Sequence, residues 1–241
     1  GAGKDGTLPA DLTETLLKDD PAATIATLLA VLRSGVAPTR LAREVAYAAV
    51  MRIARFHTSN EFPDWDTALH TFTFANAVHE GLRRTNSAEP TLGIDLVRGI
   101  FDAAMSIYLD RFLNIPAAKL PSANGHAPNL EAALSARLNQ QQQVNQSAQV
   151  VTNALADGVD SAELLATLGK LLLREDRDFH TIQSVEAAMK LSRYLEGTPE
   201  GGHVLIACTR YLAAHSPTVR SQGQTFAIAQ RLHKGDKLFE G

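Results

Sequence analysis

The sequence predicts an all-α fold, a multi-helix bundle of roughly nine to eleven helices, on three observations. Apolar residues recur at helical spacing along most of the chain, and no segment longer than a few residues alternates as a strand does. Proline, glycine and short polar residues stand where helices begin and end. Parts of the first half also return in the second in the same order, which points to two quasi-equivalent halves from an internal duplication.

In chain order, residues 1–8 read as a flexible, glycine-rich leader. Residues 9–17 open on Pro9 and carry Asp11 and Glu14 early, where acids offset the partial positive charge of a helix N-terminus. A helix over 23–33 presents Leu28, Leu29, Val31 and Leu32 as an apolar face, and Ser34-Gly35 stops it. Pro38 opens the next, on which Leu41, Val45, Ala49, Ile53 and Phe56 or His57 fall on one stripe opposite Arg40, Arg43, Arg52 and Arg55. His57 is therefore expected to turn inward. Pro63 breaks this helix, because it disfavours helical geometry at Phe62, and Asp64 is the expected N-cap of a helix over 65–84. On that helix Asp66, His70, Thr73 and Ala77 share one side, while Phe72, Asn76, His79 and Arg83 share another.

A loop over TNSAEP leads to a third long pattern, 92–112, with Leu96, Ile100, Ala103, Ile107 and Phe112 as its apolar series. Pro116, Pro121 and Pro128 then interrupt the helical pattern, and a linker over 119–128 divides a first helical half, 9–118, from a second, 129–241. The halves are expected to pack as one domain. The second half starts with a long helix or helix pair whose Gln140 to Gln143 tract reads as a solvated face, since glutamine is a good helix former. Helix 177–195, the apolar run VLIACTRYLAA and an amphipathic helix ending at Gly235 complete it, before a frayed tail.

The duplication rests on linked matches. Gly35-Val36, Leu41 and His57-Thr58 recur 123 residues later as Gly158-Val159, Leu164 and His180-Thr181. Helix 65–84 matches 177–195 at an offset of 110, and Pro90 with Gly93 matches Pro199 with Gly202 at 109. His180 thus aligns with both His57 and His70.

Composition narrows the function. With 241 residues, 45% of them hydrophobic, the chain can bury a sizeable core. A net charge of −3 with mixed signs and no Lys/Arg block argues against nucleic acid as a partner. Cys208 is the single cysteine, so the chain has no internal disulfide and no iron–sulfur cluster of its own, and its apolar setting reads as a small buried hydrophobe. No apolar run reaches the roughly 18 residues of a spanning helix, so no membrane partner and a cytoplasmic location are expected.

The stretch from His57 to His79 is the densest in reactive groups, with three of the eight histidines, the only tryptophan, Trp65, and the acids Glu61, Asp64 and Asp66. There is no glycine-rich phosphate loop, no HExxH, no GxSxG and no paired ExxH, which removes several enzyme classes and leaves catalysis open. Asp66/His70 and Asp176/His180 are both D-x3-H pairs, a spacing that sets a carboxylate one turn from an imidazole and lets it fix the tautomer. Together with His57 they form a candidate metal set, His57, His70, His180, Asp66 and Asp176, suited to iron, zinc or manganese. The competing reading makes the aspartates first-turn partners of a helix dipole. Asn76, His79 and Glu186 interrupt apolar faces, as a polar network between helices or as part of a ligand pocket. The ligand-binding candidates are therefore His57, Asp66, His70, Asn76, His79, His180 and Glu186. His57, His70 and His180 are expected to be mostly buried near the boundary between the halves.

The run AREVAYAAVMRIARFHTSNEFPDWDTALHTFTFANAVHEGLRR, with YLDRFLNIPAAKLP and LLREDRDFHTIQSVEAA, resembles the helical region that accompanies a Rieske-type two-iron two-sulfur domain in some bacterial proteins. The resemblance implies the helical part of an oxidoreductase-like protein, with a Rieske-type domain outside this chain as partner. The cluster needs two cysteines and two histidines, which one cysteine does not supply. Two functional readings stand: a domain that binds a metal or small substrate in a His/Asp-lined interior, and a non-catalytic scaffold for domain packing or homo-oligomerisation.

Overall fold

The computed structural model describes residues 6–85 and 90–237, the side chains of 90–92 excepted. Residues 1–5 of the expected leader, most of the TNSAEP loop and positions 238–241 of the tail lie outside the described residues. Among the described residues are eleven α-helices, one 3₁₀ helix and no strand, so the fold is all-α. The helices are α1 (Leu12–Leu17), α2 (Pro21–Arg33), α3 (Pro38–Ala54), α4 (Phe62–Arg84), α5 (Pro90–Leu109), α6 (Leu130–Leu138), α7 (Val144–Ala156), α8 (Ser161–Arg174), α9 (Phe179–Tyr194), α10 (Pro199–Ala214) and α11 (Gln222–His233). The 3₁₀ helix, Asp110–Asn114, follows α5 directly.

Local chemistry sets the boundaries. Asp20, Asn129, Asp160, Asp178 and Thr198 each accept a backbone N–H in the first turn of the helix that follows, satisfying donors the helix cannot pair internally. α4 begins at Phe62 rather than Trp65, because Pro63 sits in the first turn, where its missing N–H costs nothing. Asp64 is consequently inside the helix and accepts the Glu61 N–H at 3.0 Å. α2 and α7 both end on a glycine with positive φ, Gly35 at 95° and Gly158 at 82°, a conformation that other residues adopt only with strain.

Four helices make the centre: α3 packs on α4 and α10, and α9 packs on the same two. α3 is buried on nearly every side from Leu41 to Ala54, and α10 from Val204 to Ala213. Around them, α1, α2 and α5 cover α3, while α6, α7 and α8 cover α10. A single hydrophobic cluster runs through residues of both halves. The segment between Ala117 and Asn129 is tied down: Ala118 N–H bonds the Arg55 carbonyl at 2.8 Å, and Asn124 and Ala127 donate to Asn153 and Asp157.

Three sequence expectations change. The Gln140 to Gln143 tract is a turn rather than a helix face, with Gln142 at φ 61°, because α6 stops at Leu138 and the helix propensity of glutamine is overridden by the packing of α6 and α7. The last helix starts at Gln222 and has no buried residue, so among the described residues its amphipathic pattern adds nothing to the core. Phe112, expected in an apolar series, lies in the 3₁₀ helix and is exposed, because the change of helix type rotates it off the stripe. Among the described residues no helix is long and apolar enough to cross a membrane.

Candidate functional site

α4 and α9 bring their N-terminal turns to the C-terminal turn of α10, and polar side chains collect there. Tyr211 Oη donates to Asp66 Oδ1 at 2.5 Å, and His215 Nε2 stands 3.3 Å from the same oxygen. His215 Nδ1 is 2.8 Å from the Tyr211 carbonyl oxygen. A carbonyl only accepts, so Nδ1 carries the hydrogen and Nε2 of the neutral ring holds a lone pair with no partner. Protonation of Nε2 would convert its contact with Asp66 into a charge-assisted hydrogen bond. The ring stacks on Tyr211 at 4.1 Å, touches Phe62 at 4.3 Å, and its side chain is 4% exposed. Burial lowers the pKa of His215, against the pull of the Tyr211 carbonyl, Asp66 and Asp178 in the other direction. Burial also raises that of Tyr211, and its hydrogen bond to Asp66 adds to the shift.

His70 and His180 meet across α4 and α9, with ring centroids 5.1 Å apart. His180 also lies against Phe179 and has Nδ1 3.5 Å from Asp178 Oδ2. Asp178 caps α9; burial acts to raise its pKa, but hydrogen bonds from Thr181 and His180 outweigh it and hold the carboxyl low. His57 joins neither ring. α3 ends at Ala54, three residues before it, and its Nδ1 bonds Ser59 Oγ at 2.6 Å instead.

The expectation that His57, His70 and His180 are mostly buried does not hold: His70 is exposed and the other two are half-buried. The buried face of α4 is built on Trp65, Leu69, Phe72, Asn76 and His79, and His70 lies just past it. The five residues of the proposed metal set are not assembled, and no group of three His, Cys, Asp or Glu among the described residues is placed to hold a metal. Asp66 is engaged by Tyr211 and His215. Asp176 accepts from Ser221 N, Ser221 Oγ and Gln222 N at 2.8–2.9 Å, and the backbone hydrogen bond from Ser221 leads in holding its pKa low. It acts as an anionic partner of a helix N-terminus, but of α11 rather than α9.

His215 forms part of the wall of a cleft of about 730 Å³. The lining is rich in side-chain amides, Asn60, Gln141, Gln142, Asn145 and Gln146, with the hydroxyls of Thr58, Ser216 and Thr218 and the rings of Phe62 and Trp65. Behind Asn145 lies Arg210, 1% exposed, which donates to Asn145 Oδ1 at 2.6 Å and to the Phe56 carbonyl at 2.5 Å. No carboxylate of the described residues is within 4 Å of it, its Nε has no partner, and burial lowers its pKa to about 10. This guanidinium fixes Asn145 at the cleft.

No family model, curated protein or solved structure matches the chain.

A second polar group lies farther along α4. His79 is 3% exposed, stands edge-on to Tyr194 at 5.0 Å, and burial lowers its pKa to about 4, so the ring is neutral. Asn76 Oδ1, His79 Nδ1 and Glu80 Oε1 are buried without a hydrogen-bond partner, and Glu80 Oε1 stands 3.8 Å from His79 Nδ1 and 3.7 Å from the Arg83 guanidinium. Glu186 is not among them; it is exposed and pairs with Lys190. Sequence reasoning missed Glu80, Tyr211 and His215. The signal was present: Arg210, Tyr211 and His215 interrupt an apolar helix as Asn76 and His79 do.

Proposed function

We propose that the chain is a helical binding domain that takes a small, uncharged, hydrogen-bonding organic molecule in the cleft beside Asp66, Tyr211 and His215. The observation that carries this reading is the lining: five amides and three hydroxyls face the space, while no Asp, Glu, Lys or Arg lines it. Amides and hydroxyls offer both donors and acceptors, and Phe62 and Trp65 supply flat apolar surface, so a polar organic ligand would find hydrogen-bond partners and a stacking face together. Arg210 behind Asn145 and the Asp66–Tyr211–His215 group hold two sides of the wall in fixed geometry. The resemblance to the helical region beside Rieske-type domains adds an oxidoreductase setting, with the cluster carried outside the chain. Matching turn glycines at the ends of α2 and α7, and the contact of His70 with its aligned counterpart His180, support a duplicated architecture as part of the proposal.

The test is an NMR screen of the labelled protein against small neutral amides, polyols and heterocycles. Binding should move the Trp65 indole and Asn145 side-chain signals, and Asn145→Leu or Gln146→Leu should weaken it about tenfold. A screen in which no compound perturbs these residues would leave the scaffold reading. That second reading draws on α11, which stands free of the core with Phe226 and Leu232 exposed.

A further inference from the structure

A second cleft, of about 470 Å³, opens between the end of α1, the end of α3 and the 3₁₀ helix. Four of its lining side chains are cations, Lys18, Arg52, Arg55 and Arg111, against two acids, Glu14 and Asp19, which leaves an excess of two positive charges. The acids neutralise little. Glu14 reaches Arg55 only at 4.0 Å, Asp19 meets Arg111 Nε at 2.6 Å, and both acids are mostly exposed, where ion pairs are worth little.

Arg52 is the buried member. Its Nε donates to the Ile107 carbonyl at 3.1 Å, one terminal nitrogen to Asn114 Oδ1 at 3.2 Å, and the other to the Leu17 carbonyl at 3.0 Å. All three acceptors are neutral, and no carboxylate of the described residues lies within 4 Å. A guanidinium has five N–H groups, so each terminal nitrogen retains one for a further acceptor. Buried Asp110, whose charge acts on Arg52, is engaged by Thr71 Oγ1 at 2.6 Å. Arg111 is held in place over the Tyr108 ring at 4.1 Å and by its bond to the Tyr108 carbonyl, with one terminal nitrogen unengaged. Beside these cations stand Phe112, 61% exposed, and Ile115, 76% exposed.

We propose that this cleft binds an organic phosphate monoester, its dianionic head received by Arg52, Arg55 and Arg111 and its organic part resting on Phe112 and Ile115. Three guanidiniums presented from two elements suit a tetrahedral oxyanion, and a dianion matches the excess charge. The site is separate from the amide-lined cleft and does not depend on the reading given to it.

The test is calorimetric titration of the whole chain, at constant ionic strength, with phenyl phosphate, inorganic phosphate and succinate. Phenyl phosphate should bind about tenfold more tightly than inorganic phosphate, since the ring removes apolar surface from water, and more tightly than succinate. Arg55→Ala and Arg111→Ala should each weaken it about tenfold or more. Phe112→Ser combined with Ile115→Ser, at two exposed positions where folding is not at stake, should bring phenyl phosphate down to the level of inorganic phosphate. The proposal fails if phenyl phosphate does not bind, if the arginine variants bind it unchanged, or if succinate or inorganic phosphate equals it.

Discussion

Asn114 shows how much one side chain organises. Its amide nitrogen donates to the carbonyls of Arg52 and Arg55, 2.9 Å each, at the end of α3, and its oxygen accepts from the Arg52 guanidinium. Asn114→Ala removes all three bonds at a buried site and should lower unfolding free energy by about 2–4 kcal/mol in urea titration. Tyr211 makes a subtler case. Its hydroxyl shields the Asp66 oxygen that His215 also faces, so Tyr211→Phe should raise the pKa of His215 by strengthening the pull of Asp66 on the protonated ring. An NMR titration of the imidazole signals in which that pKa falls would contradict this geometry. At this scale the sequence was partly legible: it singled out Asp66 and set His70 against its aligned counterpart His180, but the partners that spacing gave the aspartates are not the ones found, since Asp66 meets Tyr211 and His215 rather than His70. His57 misled because its stripe ran past the true helix end, and Tyr211 and His215 were hidden in a run whose apolar neighbours suggested only core.

Helices were legible because their signals are local. A proline in the first turn, a capping carboxylate or hydroxyl and a terminal glycine act within four residues, so most boundaries fell near where the pattern put them. The glutamine tract did not, since propensity contributes only tenths of a kcal/mol per residue and packing decides. Two glycines separate local from tertiary demands. A Cβ at Gly201 would stand 2.5 Å from the Leu195 carbonyl oxygen, within the turn that joins α9 to α10. Gly201→Ala should therefore destabilise by about 1–3 kcal/mol. Gly169, inside α8, meets nothing within 4 Å, and Gly169→Ala should stabilise by about 0.5–1 kcal/mol. Thermal melts of the two variants should move in opposite directions.

For the whole molecule, buried neutral histidines set the response to acid. Burial lowers the pKa of His79 to about 4 and also lowers those of His203 and His215. Between the ordinary value near 6.5 and these lowered values the unfolded chain binds more protons, so stability is full above about pH 6.5 and declines as pH falls towards 4. His79 alone accounts for roughly 2 kcal/mol between pH 7 and pH 5, a drop in melting temperature of about 4–8 °C. His79→Leu should flatten the melting temperature over that interval, as scanning calorimetry would show. The all-α class was legible from periodicity alone. The packing of helix 65–84 on helix 177–195 was also expected and is found as α4 on α9, whereas the pairing of α3 with α10 was not legible, because faces of similar composition can meet in many ways and the choice is made by shape between distant segments.

That pairing has a consequence for the newly made chain. α3 and α10 are the most completely enclosed helices, yet they come from opposite halves of the sequence. At translation rates of about 5–20 residues per second, α3 waits roughly 10–30 s for α10 to leave the ribosome. During that interval α3 lacks the part of its native cover that α10 supplies, and the first half offers an apolar face to any neighbour. The protein is thus expected to engage holding chaperones during synthesis and to fold late, with α10 arriving as the closing piece of its own interior.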